Sequence, residues 1–350
     1  MTEHLFRIAA HAYAAGEMDA GRRACERLAR TRLEPGMEAI VRRNRTWYTQ
    51  LLGDLLDVRM QQVQCEPFRS GWSLFNPSVV RKGCWTVNVR SSNYRIIDGQ
   101  YVMPPEDSGI IRTGNVLCRI NDDLAIEHSA PWACDYEKTE YAVDGFEDVR
   151  LNVVDGECVV SATVRNMAPH DGTCRIATAQ LRRGALVGLA CPATADGHHE
   201  KNWMPILGRR EWLYACSVNG RTATVRLEDG AWRVTHHAEA PHVAAQFRGG
   251  SQLVPIDNGR WLAIVHEVAE DAGRRIYEHR FVTFNEADGW RMESISQPFA
   301  FREQRAIEFC AGLARNGKTL AATFGVRDAE AWIATFDLTD AVNLTRDAWA

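Results

Sequence analysis

The chain has 350 residues, 45% of them hydrophobic, which is enough to bury the cores of one large domain and a smaller one, or of two medium domains. Its formal net charge is -4 and its pI is about 6.3, so the charge balance gives no reason to expect binding to nucleic acid or to an anionic membrane. No basic N-terminal segment precedes an apolar run, and no apolar stretch approaches the roughly 20 residues that span a bilayer. We therefore expect a cytoplasmic protein without a cleaved signal or a membrane span.

Residues 1–66 are predicted to be α-helical. Apolar residues recur at helical spacing over residues 5–15, Gly16 interrupts the pattern, and the pattern then resumes. A turn at Pro35 is followed by a further predicted helix over residues 40–56. The first two helices resemble one tetratricopeptide-type hairpin. Because one such hairpin is too small to fold alone, we interpret it as the end of a longer array or as a docking cap.

Residues 67–345 have the pattern of an all-β domain, so the chain as a whole is predicted to be mainly β. Short runs rich in β-branched and aromatic residues alternate with dipeptides that favour tight hairpin turns. These dipeptides are Asp155-Gly156, Asn219-Gly220, Asp229-Gly230, Asn258-Gly259, Asp288-Gly289 and Asn316-Gly317. Five β-rich runs start about 50–70 residues apart, which is the length of one four-stranded propeller blade with its loops. The spacing predicts a five-bladed β-propeller, with a pair of β-sandwiches as the alternative.

Five short polar clusters lie at the ends of apolar runs. They are Asn76-Pro77-Ser78, residues 145–150, residues 200–205, Arg248-Gly249-Gly250-Ser251 and residues 324–328. In a propeller the ends of the inner strands converge on one axial pocket, so we expect the clusters to meet there. The cluster at Arg248 matches neither a nucleophile elbow nor a phosphate loop. We expect its glycines to let two backbones approach closely at the rim of the pocket.

The cluster at residues 145–150 carries the clearest chemistry. Gly145 allows a tight backbone, Glu147 and Asp148 offer carboxylates for acid chemistry, and Arg150 can hold an anion or a partner carboxylate. A structural turn closed by a salt bridge between Asp148 and Arg150 is the alternative interpretation of the same residues.

Neither the cysteines nor the histidines predict a metal site, and no organic cofactor is implied. The ten cysteines include no C-x-x-C pair and most lie within strand-like runs, so we expect buried reduced thiols. A zinc site or a disulfide framework is the alternative. The pairs His198-His199 and His236-His237 indicate a metal only weakly, because no third ligand lies at a characteristic spacing.

Six motifs follow one another along the predicted β domain. They are Asn76-Pro77-Ser78, Val89-Arg90, residues 145–150, residues 201–205, Gly312 after Phe309, and residues 324–328. Their order and spacing resemble glycoside hydrolase family 130, which contains the β-mannoside phosphorylases and related β-mannan-processing enzymes. The resemblance implies a five-bladed propeller. Val149 stands where the family usually has Pro, and Asp328 follows Phe-Gly-Val-Arg rather than Tyr-Gly and small residues. These departures indicate a distant branch of the family.

The resemblance also implies roles for individual residues. Asp148 is the implied proton donor, acting directly or through a sugar hydroxyl. The candidate substrate-binding residues are Asn76, Arg90, Asn202 and Asp328. The candidate phosphate-binding residues are Arg150, Arg175 and Lys201, with His198 or His199 nearby. A phosphorylase needs such a cationic pocket because phosphate is its nucleophile.

The implied function is transfer of a glycosyl unit, expected to be mannosyl, between a β-glycoside and phosphate with inversion. The expected ligands are an oligosaccharide or glycan, and inorganic phosphate or a sugar 1-phosphate. One alternative is a non-catalytic glycan-binding propeller or glycosyltransferase-associated module, in a larger glycan-assembly polypeptide or a homo-oligomer. The other is an inverting hydrolase, which needs a second carboxylate facing Asp148; Glu147 and Glu308 are the candidates.

Overall fold

The computed structural model describes residues 2–97, 99–167, 173–192 and 199–349. The chain is mainly β, and most of its helices lie near the N-terminus. The helices are α1 Thr2–His11, α2 Met18–Ala29, α3 Pro35–Arg45, α4 Leu52–Leu55 and α5 Leu338–Asn343. The strands of the N-terminal half are β1 Gln50–Leu51, β2 Arg59–Gln62, β3 Ser73–Lys82, β4 Cys84–Ser92, β5 Arg95–Ile97, β6 Gln100–Val102, β7 Ile111–Ile120, β8 Ile126–Pro131, β9 Val143–Asp144, β10 Glu147–Val154, β11 Glu157–Val164, β12 Arg175–Arg182 and β13 Ala185–Ala190. The later strands are β14 Met204–Pro205, β15 Glu211–Val218, β16 Arg221–Glu228, β17 Ala231–Glu239, β18 Val254–Asp257, β19 Arg260–Asp271, β20 Arg274–Asn285, β21 Arg291–Ser296, β22 Phe299–Ala300, β23 Glu308–Asn316, β24 Thr319–Val326, β25 Glu330–Asp337 and β26 Thr345–Asp347.

The described strands form a succession of small sheets in a propeller-like arrangement. Strands β10–β13 and β14–β17 each make a four-stranded antiparallel sheet in which consecutive strands are neighbours. Strands β3, β4, β7 and β8 make the next, with β9 beside β7, and β2, β25, β24 and β23 make another. The largest sheet has seven strands, β1, β18–β22 and β26, and β5 pairs only with β6. The mainly β composition and the propeller-like arrangement agree with the spacing of the β-rich runs.

The predicted hairpin turns are confirmed. Both residues have positive φ at Asp155-Gly156, Asn219-Gly220, Asp229-Gly230 and Asn258-Gly259, and the glycine does at Asp288-Gly289 and Asn316-Gly317. Tight hairpin turns require this backbone, which Asn, Asp and Gly adopt at the lowest cost.

A buried glutamine links three sheets. Gln252 Nε2 donates to the carbonyl oxygens of Val79 on β3 at 2.9 Å and Leu151 on β10 at 2.8 Å. Its Oε1 accepts from the amide of Leu313 on β23 at 2.8 Å. Inner strands leave backbone groups that no neighbouring strand pairs, and buried groups of this kind need a partner. Gln252 therefore fixes the mutual position of the strands that carry the polar clusters.

The helical prediction for residues 40–56 is wrong in part. Helix α3 ends at Arg45, residues 50–51 form β1, which pairs in parallel with β22, and α4 is a single turn. Strand β2 pairs with β25, so a segment from the N-terminal part completes the sheet formed by the last strands of the domain. Both pairings join residues more than two hundred positions apart, and such tertiary contacts override local helix propensity.

Helices α2 and α3 are attached to the seven-stranded sheet by ion pairs. Arg45 of α3 contacts Glu278 at 2.6 Å and Glu267 at 2.9 Å. Arg280 contacts Glu267 at 2.6 Å and Glu26 of α2 at 2.8 Å. The side chains of Arg45, Glu267, Glu278 and Arg280 are at most 2% exposed. The helices are therefore packed on the sheet through desolvated charges, which the helical periodicity of their sequence does not indicate.

All ten cysteines are free thiols, and five of them are buried: Cys25, Cys118, Cys174, Cys216 and Cys310. Burial raises the pKa of Cys25 and of Cys216 to about 12, which makes these thiols poor nucleophiles. None of the described helices combines the length and the apolar composition that a membrane span requires.

Candidate active site

The polar clusters of separate sheets meet in one cleft of about 430 Å³. Six of the eight predicted site residues line it: Asn76, Arg90, Asp148, Lys201, Asn202 and Asp328. Because these residues span more than two-thirds of the chain, their convergence is a property of the arrangement of sheets and not of any one hairpin.

A local irregularity of β10 aims Asp148 into the cleft. The register between β10 and β11 shifts between Glu147 and Arg150, as at a β-bulge, and Asp148 has a φ of 48°. Gly145 has a φ of 103°, and a Cβ atom there would lie 2.3 Å from the carbonyl oxygen of Thr113. A bulge re-aims a side chain, and a non-glycine residue at positive φ costs about 1–3 kcal/mol that the surroundings must offset. The tight backbone expected from Gly145 is confirmed.

Two side chains hold one oxygen of the Asp148 carboxylate. Asn76 Nδ2 donates to Oδ1 at 2.9 Å, and Arg90 Nη1 donates to the same atom at 2.8 Å. Asn76 lies at a second register shift, between Phe75 and Ser78 on β3, and has a φ of 44°. Irregularities on two inner strands therefore point the two side chains at each other. Within the described residues Oδ2 has no hydrogen-bond partner, so it is available to a substrate.

Nearby positive charge sets the ionisation of Asp148. Burial alone would raise the pKa of Asp148, but the charge of Arg90, the hydrogen bond from Asn76 and the charge of Arg150 hold it below its usual value. Burial would lower the pKa of Arg90, yet Tyr94, Asp148 and the other acids around it raise it instead. The pair is therefore a carboxylate and a guanidinium at neutral pH.

A second carboxylate in the cleft, Asp328, is shifted in the opposite direction. Tyr94 OH donates to Asp328 Oδ2 at 2.9 Å. Burial raises the pKa of Asp328; Arg90 opposes the rise and Asp148 adds to it. Two carboxylates whose pKa values are moved apart can take different roles in one site.

Arg150 lies directly behind the cleft lining. Its Nε donates to the carbonyl oxygen of Gly250 at 2.7 Å, Nη1 donates to that of Asp148 at 3.0 Å, and Nη2 donates to Asn202 Oδ1 at 3.2 Å. The guanidinium therefore joins three polar clusters, those at Gly145, Glu200 and Arg248. Burial lowers the pKa of Arg150 to about 10, so it remains charged at neutral pH.

The cluster at Arg248 forms a close approach of two backbones, as expected. A Cβ atom on Gly249 would lie 1.8 Å from the carbonyl oxygen of Asn202, and one on Gly250 would lie 2.2 Å from that of Ile264. No larger residue fits at either position without moving the backbone. Arg248 itself lines the cleft.

Three cations surround Glu147 on another part of the wall. Arg165 Nε lies 3.7 Å, Arg90 Nη2 3.9 Å and Lys201 Nζ 4.0 Å from its carboxylate oxygens. The Lys201 side chain is 40% exposed, so its ammonium group is accessible from the cleft. This region combines the carboxylate of Glu147 with cationic side chains that can also contact a ligand.

Besides Arg150, two further predicted residues, Arg175 and His199, lie outside the cleft lining formed by the described residues. Arg175 is the first residue of β12 and is buried, and it is absent from the lining formed by the described residues. His199 Nδ1 accepts from the amide of Cys174 at 3.0 Å, which gives it a structural contact. His198 lies outside the described residues.

Glu308 does not face Asp148. It is fully buried, and its carboxylate accepts backbone amides of Phe301 at 2.6 Å, Arg302 at 2.9 Å and Glu303 at 2.8 Å. Burial raises the pKa of Glu308 to about 7, against the effect of these hydrogen bonds. Its contacts are those of a carboxylate that organises a loop, and Glu147 is the candidate that lies beside Asp148.

Several residues of the lining have no counterpart among the sequence predictions. They are Tyr94, Tyr101, Arg165, His266, Arg275 and Tyr277. Arg165 directly follows β11, and Tyr94 closely follows β4. Both are polar residues at strand ends, which is the signal that would have identified them. His266 and Tyr277 lie within the long strands β19 and β20, where no local signal marks them.

Replacing Gly325 by Ala should displace Asn76 from Asp148. A Cβ atom at Gly325 would lie 2.2 Å from Asn76 Oδ1 and 2.6 Å from its backbone nitrogen. Overpacking of this kind costs about 1–3 kcal/mol, and a misplaced positioning group costs about ten- to hundredfold in rate. Thermal unfolding and turnover measure the two effects. Gly53→Ala is the control, since nothing lies within 4 Å of its Cβ position. Unchanged turnover in Gly325→Ala would show that Asn76 does not position Asp148.

Comparison with solved structures identifies proteins of similar fold. No family model and no curated protein matches the sequence. A solved β-1,2-mannobiose phosphorylase from Listeria innocua, in complex with β-1,2-mannobiose, is 12% identical with a TM-score of 0.51; the match covers 85% of this chain and 98% of that one. A second solved structure is from the GH130 family of mannoside phosphorylases, which contains glycoside hydrolases that target β-1,2-mannosidic linkages in Candida mannan. It is 14% identical, with a TM-score of 0.53, and the match covers 83% of this chain and 97% of that one.

The chain is similar in fold to glycoside hydrolase family 130 proteins. The resemblance stated from the polar motifs is confirmed at this level. At 12% and 14% identity the likeness concerns the fold, so the chemistry has to be argued from the residues of the cleft.

Proposed function

We propose that this chain is a carbohydrate-active enzyme that transfers a mannosyl unit between a β-glycoside and phosphate with inversion. The observation that carries the proposal is the contact of Asp148 with Asn76 and Arg90 in a cleft that also contains Lys201 and Arg165. A carboxylate that moves a proton and cations that hold phosphate are the two requirements of a glycoside phosphorylase. The similarity in fold to a β-1,2-mannobiose phosphorylase supports mannose as the transferred sugar.

We take the five sheets of four or more strands as the five blades of the propeller predicted at residues 67–345, with β1 and β2 of the N-terminal segment added to two of them. Helices α1 and α2 are the candidate tetratricopeptide-like hairpin within residues 1–66. The ion pair of Glu26 on α2 with Arg280 of the seven-stranded sheet supports the docking-cap interpretation.

Asp148 moves the proton in this mechanism. In the synthetic direction, its carboxylate accepts the proton of the acceptor hydroxyl, directly or through a neighbouring sugar hydroxyl, while that oxygen attacks the anomeric carbon and phosphate leaves. In phosphorolysis, phosphate attacks the anomeric carbon from the opposite face and the same proton passes to the departing glycosidic oxygen. A single displacement inverts the anomeric configuration. The lowered pKa of Asp148 suits the base role of the synthetic direction.

Asn76, Arg90, Asn202 and Asp328 bind the sugar in this proposal. Asn76 and Arg90 already hold Asp148 through its Oδ1, which leaves Oδ2 for the transferred proton. Asp328 accepts a hydrogen bond from the hydroxyl group of Tyr94, and its carboxyl group can also accept one from a sugar hydroxyl. Asn202 receives its orientation from Arg150.

Lys201 and Arg165 are the groups that we assign to phosphate. Their ion pairs with Glu147 are long, at 4.0 Å and 3.7 Å. A bound phosphate dianion can therefore replace Glu147 as their partner. Arg150 adds positive charge from behind the lining. Arg175 stays a prediction, and its place at the buried start of β12 gives it no direct part in this scheme.

An inverting hydrolase is the second candidate function, and Glu147 is the observation that favours it. Glu147 lines the same cleft as Asp148 and is able to activate a water molecule if the cations do not recruit phosphate. The two functions differ in their dependence on phosphate.

Lys201→Ala should raise the KM for phosphate selectively, by about ten- to a hundredfold, because one charge-assisted contact to the dianion is lost. The turnover number at saturating phosphate should change much less. Initial rates of phosphorolysis across a phosphate series measure both constants. Lys318→Ala, in the turn between β23 and β24, is the matched control. An equal loss of rate at all phosphate concentrations would contradict the assignment.

The function itself is tested by phosphate release from α-mannose 1-phosphate across a panel of sugar acceptors, with Asp148→Asn as the control. Release that requires both an acceptor and Asp148 establishes a phosphorylase and identifies the acceptor. Hydrolysis of β-mannosides without phosphate would favour the hydrolase. No turnover of any substrate, together with glycan binding unaffected by Asp148→Asn, would favour the glycan-binding propeller.

A further inference from the structure

Two arginines lie on the wall of the cleft that the seven-stranded sheet forms. Arg275 is the second residue of β20, and Arg248 pairs with His266 of β19 through two backbone hydrogen bonds of 2.8 and 3.0 Å. Both side chains are exposed and both line the cleft. Within the described part of the chain, neither forms an ion pair with a carboxylate; Arg275 donates to Tyr101 OH at 3.2 Å. Their positive charge is available to a ligand.

An aromatic surface accompanies the two arginines. Tyr277 stacks on His266, with ring centroids 5.3 Å apart and an angle of 11° between the planes. Burial raises the pKa of Tyr277, and the charges of Arg275 and Arg248 both oppose that rise, so both guanidinium groups act on its hydroxyl. A flat aromatic ring with a polar tip suits the apolar face of a sugar, and guanidinium groups beside it suit an anion.

This wall is distinct from the one that we assign to phosphate. Lys201 and Arg165 precede β14 and follow β11, and both approach Glu147. Arg248 pairs with β19 and Arg275 lies on β20, and both strands belong to another sheet. The cleft therefore offers two separate positively charged regions.

We propose that the wall of Arg248, Arg275 and Tyr277 is an acceptor subsite for a sugar that carries a negative charge, as a carboxylate or as a phosphate ester. The inference rests on the proposed function and names the class of acceptor that this function uses. The sugar ring packs on Tyr277, and the anionic group accepts hydrogen bonds from the two guanidinium groups. A guanidinium binds either anion through parallel hydrogen bonds, so the two sources share one chemistry.

The experiment compares three acceptors with α-mannose 1-phosphate as the donor: mannose, a hexuronic acid and a hexose 6-phosphate. In the wild type we expect kcat/KM to be higher for at least one charged acceptor than for mannose, and the two charged arms identify the source of the anion. The double variant Arg248→Gln with Arg275→Gln should lower kcat/KM for that acceptor by about ten- to a hundredfold and for mannose by about twofold or less. Arg274→Gln is the matched control, because Arg274 is the exposed neighbour on β20 and is absent from the lining formed by the described residues.

Direct binding separates a failure of the subsite from a failure of the proposed function. Calorimetry measures the affinity of each charged sugar for the wild type and the double variant without any turnover. If the charged sugar binds the wild type and not the double variant, the subsite is supported, even if no acceptor releases phosphate. The absence of phosphate release would overturn only the proposed function. Turnover with equal kcat/KM for neutral and charged acceptors overturns the subsite alone. A rise in the KM for mannose 1-phosphate with every acceptor also overturns it, because the arginines would then belong to the phosphate region.

Discussion

Asp148→Asn should reduce turnover by about 10²–10⁴-fold in both directions while sugar binding is retained, because general acid–base catalysis contributes rate enhancements of this size. The amide preserves the shape of the side chain and still accepts hydrogen bonds from Asn76 and Arg90 at its remaining oxygen. It cannot take up the acceptor proton. Turnover of α-mannose 1-phosphate with an acceptor measures the loss, and calorimetry with the sugar measures the binding.

The control for this substitution is Asp155→Asn. Asp155 lies in the turn at the far end of the β10–β11 hairpin, where Asn is as compatible with positive φ as Asp is. The chemical change is therefore identical and the cleft is untouched. Thermal unfolding of both variants shows whether the loss of a carboxylate beside buried Arg90 affects stability. Turnover within about twofold of the wild type in Asp148→Asn would remove Asp148 from the mechanism.

Arg45→Met should destabilise the protein by about 3–5 kcal/mol, because removing one partner of a buried ion pair leaves the other charge uncompensated. Arg45 contacts both Glu278 and Glu267, and all three side chains are at most 2% exposed. Burial would raise the pKa of Glu267, but Arg45 and Arg280 lower it to about 2, so Glu267 is ionised at neutral pH. Without Arg45, Glu278 loses the ion pair that it forms with Arg45, and Glu267 retains its ion pair with Arg280.

Denaturant unfolding measures this effect, with Arg43→Met as the control for the loss of a guanidinium from an exposed position of the same helix. Adding Glu278→Gln to Arg45→Met should recover part of the lost stability, since the buried negative charge is then removed as well. A loss no larger in Arg45→Met than in Arg43→Met would mean that the cluster contributes little.

Glu267 and Glu278 follow His266 and Tyr277, which line the cleft, so the attachment of the helices also supports that wall.

Patterns of local sequence determined the parts of the fold that depend on local chemistry. The Asn-Gly and Asp-Gly turns are where their backbone preferences require, and alternating β-branched residues between them form the antiparallel strands. Polar residues at strand ends were sufficient to find Asn76, Asp148, Lys201 and Asp328, because inner-strand ends meet at one pocket in a propeller-like arrangement.

The sequence by itself therefore determined the hairpin turns, the β-rich runs between them and the polar clusters that meet at the cleft. Only the tertiary structure decided that Asn76 bonds Asp148 across 72 positions, that β2 pairs with β25, and that Arg45 is buried against Glu267 and Glu278. It also decided that Arg150 lies behind the lining and that Glu308 organises a loop. The physical reason is that local propensities act over a few residues, whereas the partner of a buried charge or of an edge strand is set by packing between distant segments.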